Sequence, residues 1–434
     1  MKFYSTKHVS PIVGLKEAVM NGLAPDGGLY MPTIIPELKN NFFAQAYKMS
    51  LPDVAFAAGR EFFCPDVPEN VLGSIINEAF NFEVPLVELD KDLYVLELFH
   101  GPTLAFKDFG ARFMARLLGY FATRSEKKIR VLVATSGDTG SAVAHGFLNV
   151  KNIEVIILYP GGKVSILQEK QLTGMGGNVR ALEVQGTFDD CQRLVKEAFL
   201  DIELKKATTL VSANSINIAR LLPQSFYFIY LCGQLNKAEK PIVISVPSGN
   251  FGNLTAGLIA KKMGAPIYKF VAATNKNNTV PQYLKTGDFK PKASVSSVSN
   301  AMDVGNPSNF SRMLDLYDND VEKMKCDVYG ASFSDEQTKK ALAEVFKKYK
   351  YIMDPHGTVA YLGLCDYLKN SSQFPEPLGV FLETAHPAKF SDIVERAINT
   401  TVFMPERLKA YLGRKKHAIP IKNEFYDLKN FLLQ

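Results

Sequence analysis

The sequence predicts an α/β protein with open, mostly parallel twisted sheets that carry helices on both faces, preceded by a helical domain at the N-terminus. Two observations support this class. From about residue 91 onwards, short β-rich runs alternate with glycine-rich turns and helical patterns. The strand candidates IEVIILYP and PIVISVP are almost continuously apolar, as expected for parallel strands buried on both faces.

The first 90 residues lack this alternation. They contain the turn signals APDGG at 24–28 and CPDVP at 64–68, set among helical stretches such as VLGSIINEAF. We therefore expect a helical N-terminal domain over residues 1–90 and the α/β region after it.

Composition and charge restrict the functional classes. The chain has 434 residues, 47% of them hydrophobic and 22% charged, which is ordinary for a globular protein. The net charge of +6 is small for this length and is not gathered into a basic stripe, so we expect no nucleic-acid partner. The densest basic run, GRKKH at 413–417, is interpreted as a solvated segment.

Membrane and metal-binding roles are not indicated either. The most apolar runs are far shorter than the roughly 20 residues of a membrane-spanning helix, and the initial MKFYSTKHVSP has no apolar signal-peptide core. The five cysteines are scattered and never in CxxC spacing, and we find no HxxxH motif or carboxylate cluster, so we expect no disulfide framework and no metal. These cysteines favour a reducing compartment, and we expect a cytoplasmic protein.

The loop SGNFGN at 248–253 follows the strand candidate IVISVP and precedes a helical pattern. Its glycines allow the backbone to approach a ligand closely, and the N–H groups of the next helix suit an anion, usually a phosphate. A plain strand-to-helix turn is the alternative. The loop contains neither GxGxxG nor a Walker lysine.

A second loop, TSGDTGS at 135–141, follows the strand candidate KIRVLVA. Its hydroxyls and backbone amides at a helix start suit a carboxylate or another anion. Its Asp and Ser are also good helix caps, so simple capping is the alternative.

Lys107 lies among apolar and aromatic neighbours in HGPTLAFKDFG at 100–110. The apolar spacing of the following residues places it at the start of a core-packed amphipathic helix, with Asp108 as a candidate cap. A helix N-terminus and apolar surroundings both lower a lysine pKa, and an uncharged amine can form a Schiff base with a carbonyl. The alternative is a lysine that extends from the helix start to water. The residues alone do not decide between the two.

Together, an imine-forming lysine, a phosphate loop and an anion-binding loop are the parts that a pyridoxal phosphate enzyme acting on amino acids requires. The motifs ELFHGPTLAFKDFGARFM, ATSGDTGSAVAHGF, NSINIAR, VPSGNFGNLTAG, SNAMDVGNPSNF and ETAHPAKF resemble the threonine synthase family, in its enterobacterial and fungal branch. The opening MKFYSTK, followed by GLAPDGGLYMP, is similar to the start of that family. The resemblance therefore spans nearly the whole chain.

The resemblance implies the fold-type II pyridoxal phosphate architecture, which is tryptophan synthase β-like. It implies a catalytic region over residues 91–434, in which a smaller mobile α/β subdomain at about 130–220 closes over the substrate and the remainder forms the larger cofactor domain. The implied reaction is the lyase reaction that converts O-phospho-L-homoserine and water to L-threonine and phosphate, the last step of threonine biosynthesis. We expect a monomer or homodimer.

The resemblance also implies roles for individual residues. Lys107 matches the Schiff-base lysine, and Thr384 matches the hydroxyl that faces the pyridine nitrogen. The residues expected at the cofactor phosphate are Gly249, Asn250, Phe251, Gly252 and Asn253. Those expected at the substrate carboxylate are Ser136, Gly137, Asp138 and Thr139. Since a lysine, an arginine and short donors suit a dianion, the candidates for the substrate phosphate are Lys163, Ser215, Asn217 and Arg220.

Other functions remain open from the sequence alone. A serine or threonine dehydratase-like lyase would need neither the second phosphate site nor the N-terminal domain. A threonine-synthase-like protein that binds the cofactor without catalysis is a second alternative, although Lys107 and both loops argue against it. A dinucleotide oxidoreductase is disfavoured, because no GxGxxG is followed by an acidic residue at the expected spacing.

Overall fold

The computed structural model describes residues 1–39, 41–64, 66–123, 128–235, 240–371 and 376–434. Within these residues the strands form three sheets of three, six and five strands. In chain order the strands are β1 (Lys2–Ser5), β2 (Val13–Gly14), β3 (Tyr30–Pro32), β4 (Leu86–Asp90), β5 (Leu93–Glu97), β6 (Ile129–Ala134), β7 (Ile153–Pro160), β8 (Val179–Gln185), β9 (Thr209–Ser212), β10 (Ile242–Pro247), β11 (Ile267–Thr274), β12 (Val328–Ser332), β13 (Leu378–Glu383) and β14 (Ile419–Lys422).

Helices surround the two larger sheets. In chain order they are α1 (Leu15–Asn21), α2 (Phe42–Ala46), α3 (Leu51–Phe63), α4 (Glu69–Ala79), α5 (Lys107–Ala122), α6 (Asp138–Phe147), α7 (Ile166–Thr173), α8 (Phe188–Leu200), α9 (Ile202–Ala207), α10 (Ile218–Leu221), α11 (Ser225–Leu235), α12 (Gly252–Lys262), α13 (Thr279–Thr286), α14 (Phe310–Leu316), α15 (Val321–Asp327), α16 (Asp335–Tyr349), α17 (Pro355–Asn370), α18 (Ser391–Ile398), α19 (Glu406–Leu412) and α20 (Phe425–Leu433). Short 3₁₀ turns occupy Leu222–Gln224, Asn300–Met302 and Pro387–Phe390. Among the described helices, none is both long and apolar enough to cross a membrane.

The two larger sheets are mostly parallel, as the sequence predicts. The six-stranded sheet has the order β12-β11-β10-β13-β5-β4, and its strands are parallel except for the β4–β5 pair. The five-stranded sheet, β14-β8-β7-β6-β9, is parallel throughout. Strands β7, β10 and β13 are almost fully buried, because helices cover both faces.

Strands also occur in the region that the sequence analysis described only as helical. Strands β1, β2 and β3 form a small antiparallel sheet, and β4 (Leu86–Asp90) pairs with β5 in the six-stranded sheet. Helices α3 and α4 pack on α5: the rings of Phe63 and Phe113 lie 4.8 Å apart, and the ring of Phe80 stacks on Phe113 at 6.1 Å. The N-terminal region therefore supports the helix that begins at Lys107.

Helix starts follow recognisable capping chemistry. Ser50, Ser165, Thr187 and Ser334 each form a capping box with the residue three positions later. Helix α17 begins at Pro355, directly after Asp354, whose carboxylate accepts hydrogen bonds from the first N–H groups of the helix. These caps fix where the loops between strands and helices end.

Candidate active site

The candidate site lies at the carboxyl ends of neighbouring parallel strands. In the six-stranded sheet, β10, β13 and β5 are adjacent, and they lead to the loop at 248–253, to Thr384 and to Lys107. In the five-stranded sheet, β6 leads into the loop at 135–141. All of these segments line one cleft of about 1950 Å³. Ligands of open α/β sheets bind at this edge.

Lys107 is the first residue of α5, and its side chain faces the cleft. Its Nζ lies 4.6 Å from the centroid of the Phe106 ring, and among the described residues it has no hydrogen-bond or ion-pair partner. Burial lowers the pKa of Lys107. The carboxylate of Asp138 opposes this shift, whereas the cations of Lys389 and Arg220 add to it. The site therefore favours an uncharged amine.

A short antiparallel bridge fixes Lys107 relative to Thr384. The N–H of Phe106 donates to the carbonyl of Thr384 (2.9 Å), and the N–H of His386 donates to the carbonyl of Leu104 (3.1 Å). Leu104 is buried and has a φ of 58°, a left-handed conformation that is unfavourable for a branched residue. The turn before α5 is thus held against the end of β13.

Asp108 does not cap α5, contrary to the expectation from sequence. Its buried carboxylate accepts hydrogen bonds from the N–H and the hydroxyl of Thr103, both at 2.8 Å. The residue at the cap position, Phe106, offers no side-chain hydrogen bond. Asp108 therefore stabilises the turn that presents Lys107.

The loop at 248–253 is tightly packed from behind. A Cβ added to Gly249 would lie 2.7 Å from the Cα of Met302, which is closer than real Cβ contacts allow. Phe251 adopts a left-handed conformation with a φ of 60° at the cap position of α12. Such strain in a buried non-glycine residue is typical of ligand-binding loops.

Some polar groups of this loop are bonded within the protein, and others remain available to a ligand. The amide of Asn250 donates to the Ser215 hydroxyl (2.7 Å), and the Oδ1 of Asn253 accepts from the Tyr227 hydroxyl (2.6 Å). The Nδ2 of Asn253 is buried without a partner among the described residues. Helix α12 begins at Gly252, so its first N–H groups have no partner inside the helix. These free donors fit the phosphate group that pyridoxal phosphate carries.

In the loop after β6, some backbone N–H donors form hydrogen bonds within the loop itself. The Oγ1 of Thr135 accepts hydrogen bonds from the N–H groups of Gly137 (3.0 Å) and Gly140 (2.8 Å). The side chains of Ser136 and Thr139 are partly exposed and line the cleft. The loop can therefore offer two hydroxyls and the first N–H groups of α6 to an anion.

Asp138, in the same loop, is buried in an ion pair. Its Oδ1 lies 2.6 Å from the Nζ of Lys389 and accepts a hydrogen bond from Gln168 (3.1 Å). Burial alone would raise the pKa of Asp138, but the ammonium of Lys389 holds it well below its usual range. The carboxylate is therefore engaged within the protein and is not free to bind a ligand.

The candidates for the substrate phosphate are only partly brought together. Lys163, Ser215 and Arg220 line the cleft. Arg220 is buried, its Nε has no partner among the described residues, and burial lowers its pKa to about 10, so it remains cationic at neutral pH. Asn217 lies behind the cleft, where its Nδ2 donates to the carbonyl of Val19 (2.8 Å) and its Oδ1 caps α10.

Sequence reasoning missed two buried cations that shape the site. Arg312 is fully buried and donates to the carbonyls of Tyr30 (3.0 Å) and Ser215 (3.3 Å), joining the N-terminal region to the loop before α10. Lys389 has a fully buried side chain. A signal for it existed in the sequence, because Lys389 lies between the apolar residues Ala388 and Phe390.

Family models cover almost the whole chain. Residues 2–80 match the model described as "Threonine synthase N terminus", residues 80–382 match "Pyridoxal-phosphate dependent enzyme", and residues 366–432 match "Threonine synthase, C-terminal". The threonine synthase of Haemophilus influenzae is 45% identical over 435 residues, with 100% of both chains covered. That of Escherichia coli is 43% identical, with 97% of both chains covered.

The chain belongs to the threonine synthase family.

Solved structures agree with this membership. The crystal structure of threonine synthase from Escherichia coli superposes with a TM-score of 0.92 at 41% identity, covering 100% of this chain and 99% of that one. The pyridoxal-phosphate-bound threonine synthase from Brucella melitensis has a TM-score of 0.92 at 32% identity, with 100% and 99% covered. A threonine deaminase from Solanum lycopersicum has a TM-score of 0.56 at 15% identity, which reflects the shared fold alone.

Family membership confirms several predictions made from sequence. The chain is a fold-type II, pyridoxal-phosphate-dependent enzyme, and its activity is that of a threonine synthase, a lyase of amino-acid biosynthesis acting on a small-molecule substrate. The dehydratase-like and non-catalytic alternatives are therefore not favoured. The roles of individual residues are argued below from the geometry of the cleft.

Proposed function

We propose that this cleft binds O-phospho-L-homoserine and converts it with water to L-threonine and phosphate, by γ-elimination followed by β-addition of water. The proposal depends on one observation: Lys107, which has no hydrogen-bond or ion-pair partner among the described residues, lines the same cleft as three groups of anion donors. The substrate has a carboxylate and a phosphate, and the cofactor has a phosphate of its own. Three anion-binding sites around one amine match these three anionic groups.

Lys107 is the proposed catalytic residue and the covalent anchor of the cofactor. Because burial lowers its pKa, its amine is uncharged more often than an exposed lysine and can accept a proton at neutral pH. In this proposal Lys107 would act as a base only after the substrate amine has displaced it. The freed Nζ would then remove the proton from the substrate Cα and later return protons to the carbon skeleton. The Phe106 ring and the bridge to β13 restrict where the Nζ can reach.

The proposed cofactor contacts lie at the ends of β10 and β13. The N–H groups of the loop would hold the phosphate, at Gly249, Asn250, Phe251, Gly252 and Asn253. The hydroxyl of Thr384 would face the pyridine nitrogen. When bound, pyridoxal phosphate supplies a conjugated ring that takes up the electron pair left on the substrate Cα. A hydroxyl in place of a carboxylate lets the pyridine nitrogen stay unprotonated, which limits side reactions such as transamination.

The proposed carboxylate site is the loop after β6. Ser136 and Thr139 offer hydroxyls, and the start of α6 offers backbone N–H groups. Gly137, with a φ of 140°, gives the turn a shape that other residues rarely adopt. Asp138 contributes its backbone, while its side chain anchors the loop to Lys389.

The proposed substrate-phosphate site uses Lys163, Ser215 and Arg220. The Ser215 hydroxyl accepts from two side-chain amides, so its own proton is free to point at an anion. Arg220 supplies a fixed cation, and Lys163 an exposed one at the cleft edge. We leave Asn217 out of this set, because its amide groups are engaged behind the cleft.

We also propose a mobile unit at about 130–220, beside a cofactor domain formed by the rest of 91–434 and an N-terminal domain at 1–90. The five-stranded sheet supports this division, since β6, β7, β8 and β9 fall inside the proposed unit, and β14 joins it from near the C-terminus. Closure of this unit would bring the carboxylate loop and Lys163 towards Lys107 and exclude water until the hydration step.

The test is a comparison of two substrates with purified protein and pyridoxal phosphate. With O-phospho-L-homoserine we expect phosphate and L-threonine in equal amounts, and with L-threonine we expect no ammonia. The Lys107→Ala variant should lose phosphate release, whereas Lys340→Ala, a change at an exposed lysine, should retain it. Ammonia from L-threonine without phosphate release would instead indicate a dehydratase.

Two further expectations remain proposals. We propose a monomer or homodimer that works without nucleic-acid or membrane partners. We propose a cytoplasmic location, supported by the five cysteines, all of which are free. Size-exclusion chromatography with light scattering would measure the assembly state.

A further inference from the structure

The ion pair of Asp138 and Lys389 lies beside the cleft and is almost completely buried. The two side chains are 3% and 0% exposed, and their charged atoms lie 2.6 Å apart. Taking two charges out of water is costly, and removing only one partner of such a pair leaves an uncompensated charge. A contribution to folding stability therefore does not by itself explain why this buried ion pair lies beside the cleft.

The pair joins the two sheets at the cleft. Asp138 starts α6 in the carboxylate loop, and Lys389 lies in the 3₁₀ turn that follows β13. The Nζ of Lys389 also donates to the carbonyl of Thr103 (3.1 Å), in the turn that precedes Lys107. On the other side, Gln168 of α7 donates to Asp138. One ammonium thus contacts both the proposed carboxylate loop and the turn that presents the catalytic lysine.

The same two charges act on the amine of Lys107 in opposite directions. Asp138 raises the pKa of Lys107, and Lys389 lowers it. The other charged groups that face this amine are Arg220, which lowers the pKa, and Asp354, which raises it. Together with desolvation, these four groups set the charge of Lys107 before any ligand binds.

We propose that Lys389 is a positioning residue for Lys107: its ammonium cancels the charge of Asp138 and holds the carboxylate loop against the turn at 103–107. Without Lys389, desolvation and Arg220 would still oppose the carboxylate of Asp138, but less strongly, and the balance would shift towards the protonated amine of Lys107. The inference rests on the proposed role of Lys107. It adds that the reactive state of this amine depends on a second lysine, which is not among the described residues that line the cleft.

Opposite shifts in two single variants distinguish this role from a merely structural one. Lys389→Met removes the cation, so the titration midpoint of Lys107 should rise by about one pH unit, the effect of one nearby charge in a partly buried site. Asp138→Asn removes the anion, so the midpoint should fall by a similar amount. The double variant removes both charges and should return close to wild type. Loosened packing alone would move both single variants in the same direction.

The measurement uses the full-length protein freed of its cofactor. Competitive labelling with acetic anhydride across a pH series, followed by mass spectrometry of the peptide that contains Lys107, reports the midpoint of this amine directly. Lys340, which is 77% exposed, serves as the internal reference in every sample. Lys240→Met is the matched control, because it removes a 2.6 Å ion pair with Asp92 outside the cleft and should leave the midpoint unchanged.

The outcomes separate the inference from the proposed function. Opposite shifts that cancel in the double variant would support the role of Lys389. An unchanged midpoint in Lys389→Met, or shifts of the same sign in both single variants, would overturn it. If wild-type Lys107 itself titrates like Lys340, the proposed role of Lys107 fails instead. If Lys389→Met does not fold, wild type, Asp138→Asn and the double variant still decide the question. The midpoint of Lys107 should fall in Asp138→Asn and return close to the wild-type value in the double variant.

Discussion

Replacing Gly249 with alanine tests whether the loop at 248–253 is shaped to hold a phosphate. The added Cβ would lie 2.7 Å from the Cα of Met302 and 2.9 Å from the carbonyl oxygen of Ala301. Both are backbone atoms, so the contact cannot be relieved by rotating a side chain. The loop must move towards the cleft, and its N–H groups move with it.

The size of the effect follows from the cost of overpacking, about 1–3 kcal/mol for one added methyl group in a tight site. If the displacement falls on the N–H groups that bind the cofactor phosphate, the affinity for pyridoxal phosphate should drop by roughly 5- to 150-fold. Fluorescence titration of the cofactor-free protein with pyridoxal phosphate measures this affinity directly. A thermal melt without cofactor shows how much of the cost appears as lost stability.

Gly413 provides the matched control. It has an ordinary helical φ of −76°, and no atom of the described residues lies within 4 Å of an added Cβ. Gly413→Ala should therefore bind pyridoxal phosphate as the wild type does. Wild-type affinity in Gly249→Ala, with an unchanged melting temperature, would refute the reasoning about this loop.

Three further changes probe other parts of the site. Arg220→Gln should lower kcat/KM for phosphate release by roughly 10- to 150-fold, since a hydrogen bond to a charged group contributes about 1.5–3 kcal/mol. An unchanged value would remove Arg220 from the phosphate site. Thr384→Asp should add keto-acid side products to threonine, measured by chromatography, because a carboxylate favours a protonated pyridine nitrogen; an unchanged product ratio would count against this role. Burial lowers the pKa of His145 from 6.5 to about 4, and the nearby cations of Arg112 and Arg116 add to this shift. Between these two pH values the unfolded state binds more protons than the folded state, so the free energy of unfolding falls as the pH drops. Between about pH 7 and pH 5, His145→Gln should lose about 1 kcal/mol less unfolding free energy than wild type in urea titrations; equal losses would contradict the assignment.

The fold was predictable from the sequence where the hydrophobic pattern of a segment matches its burial in the folded protein. The apolar runs that became β7 and β10 are buried on both faces, and the glycine-rich loops after β6 and β10 lie at the carboxyl edge of their sheets. The small sheet of β1, β2 and β3 was not predicted, because its strands have only two to four residues, and β1 pairs with β3 across a segment that contains β2 and α1. Such pairing leaves no periodic signal in so short a segment.

Within the site, residue types were predictable but side-chain directions were not. Lys107, Thr384 and the loop at 248–253 all line one cleft. The side chain of Asp138 points away from the proposed carboxylate site. It forms a buried ion pair with the ammonium of Lys389, some 250 positions further along the chain. Asn217 likewise turned to the carbonyl of Val19 in α1. Partners so distant in sequence are set by the tertiary structure and cannot be read from the neighbours of a residue.

The most direct test of the central claim is covalent trapping of the cofactor on Lys107. With pyridoxal phosphate, the wild-type protein should show a visible absorption band that borohydride removes, and the added mass should map to the peptide that contains Lys107. Lys107→Ala should show neither the band nor the mass, whereas Lys163→Ala should show both. A reduced adduct on another lysine, or a band that persists in Lys107→Ala, would contradict the account.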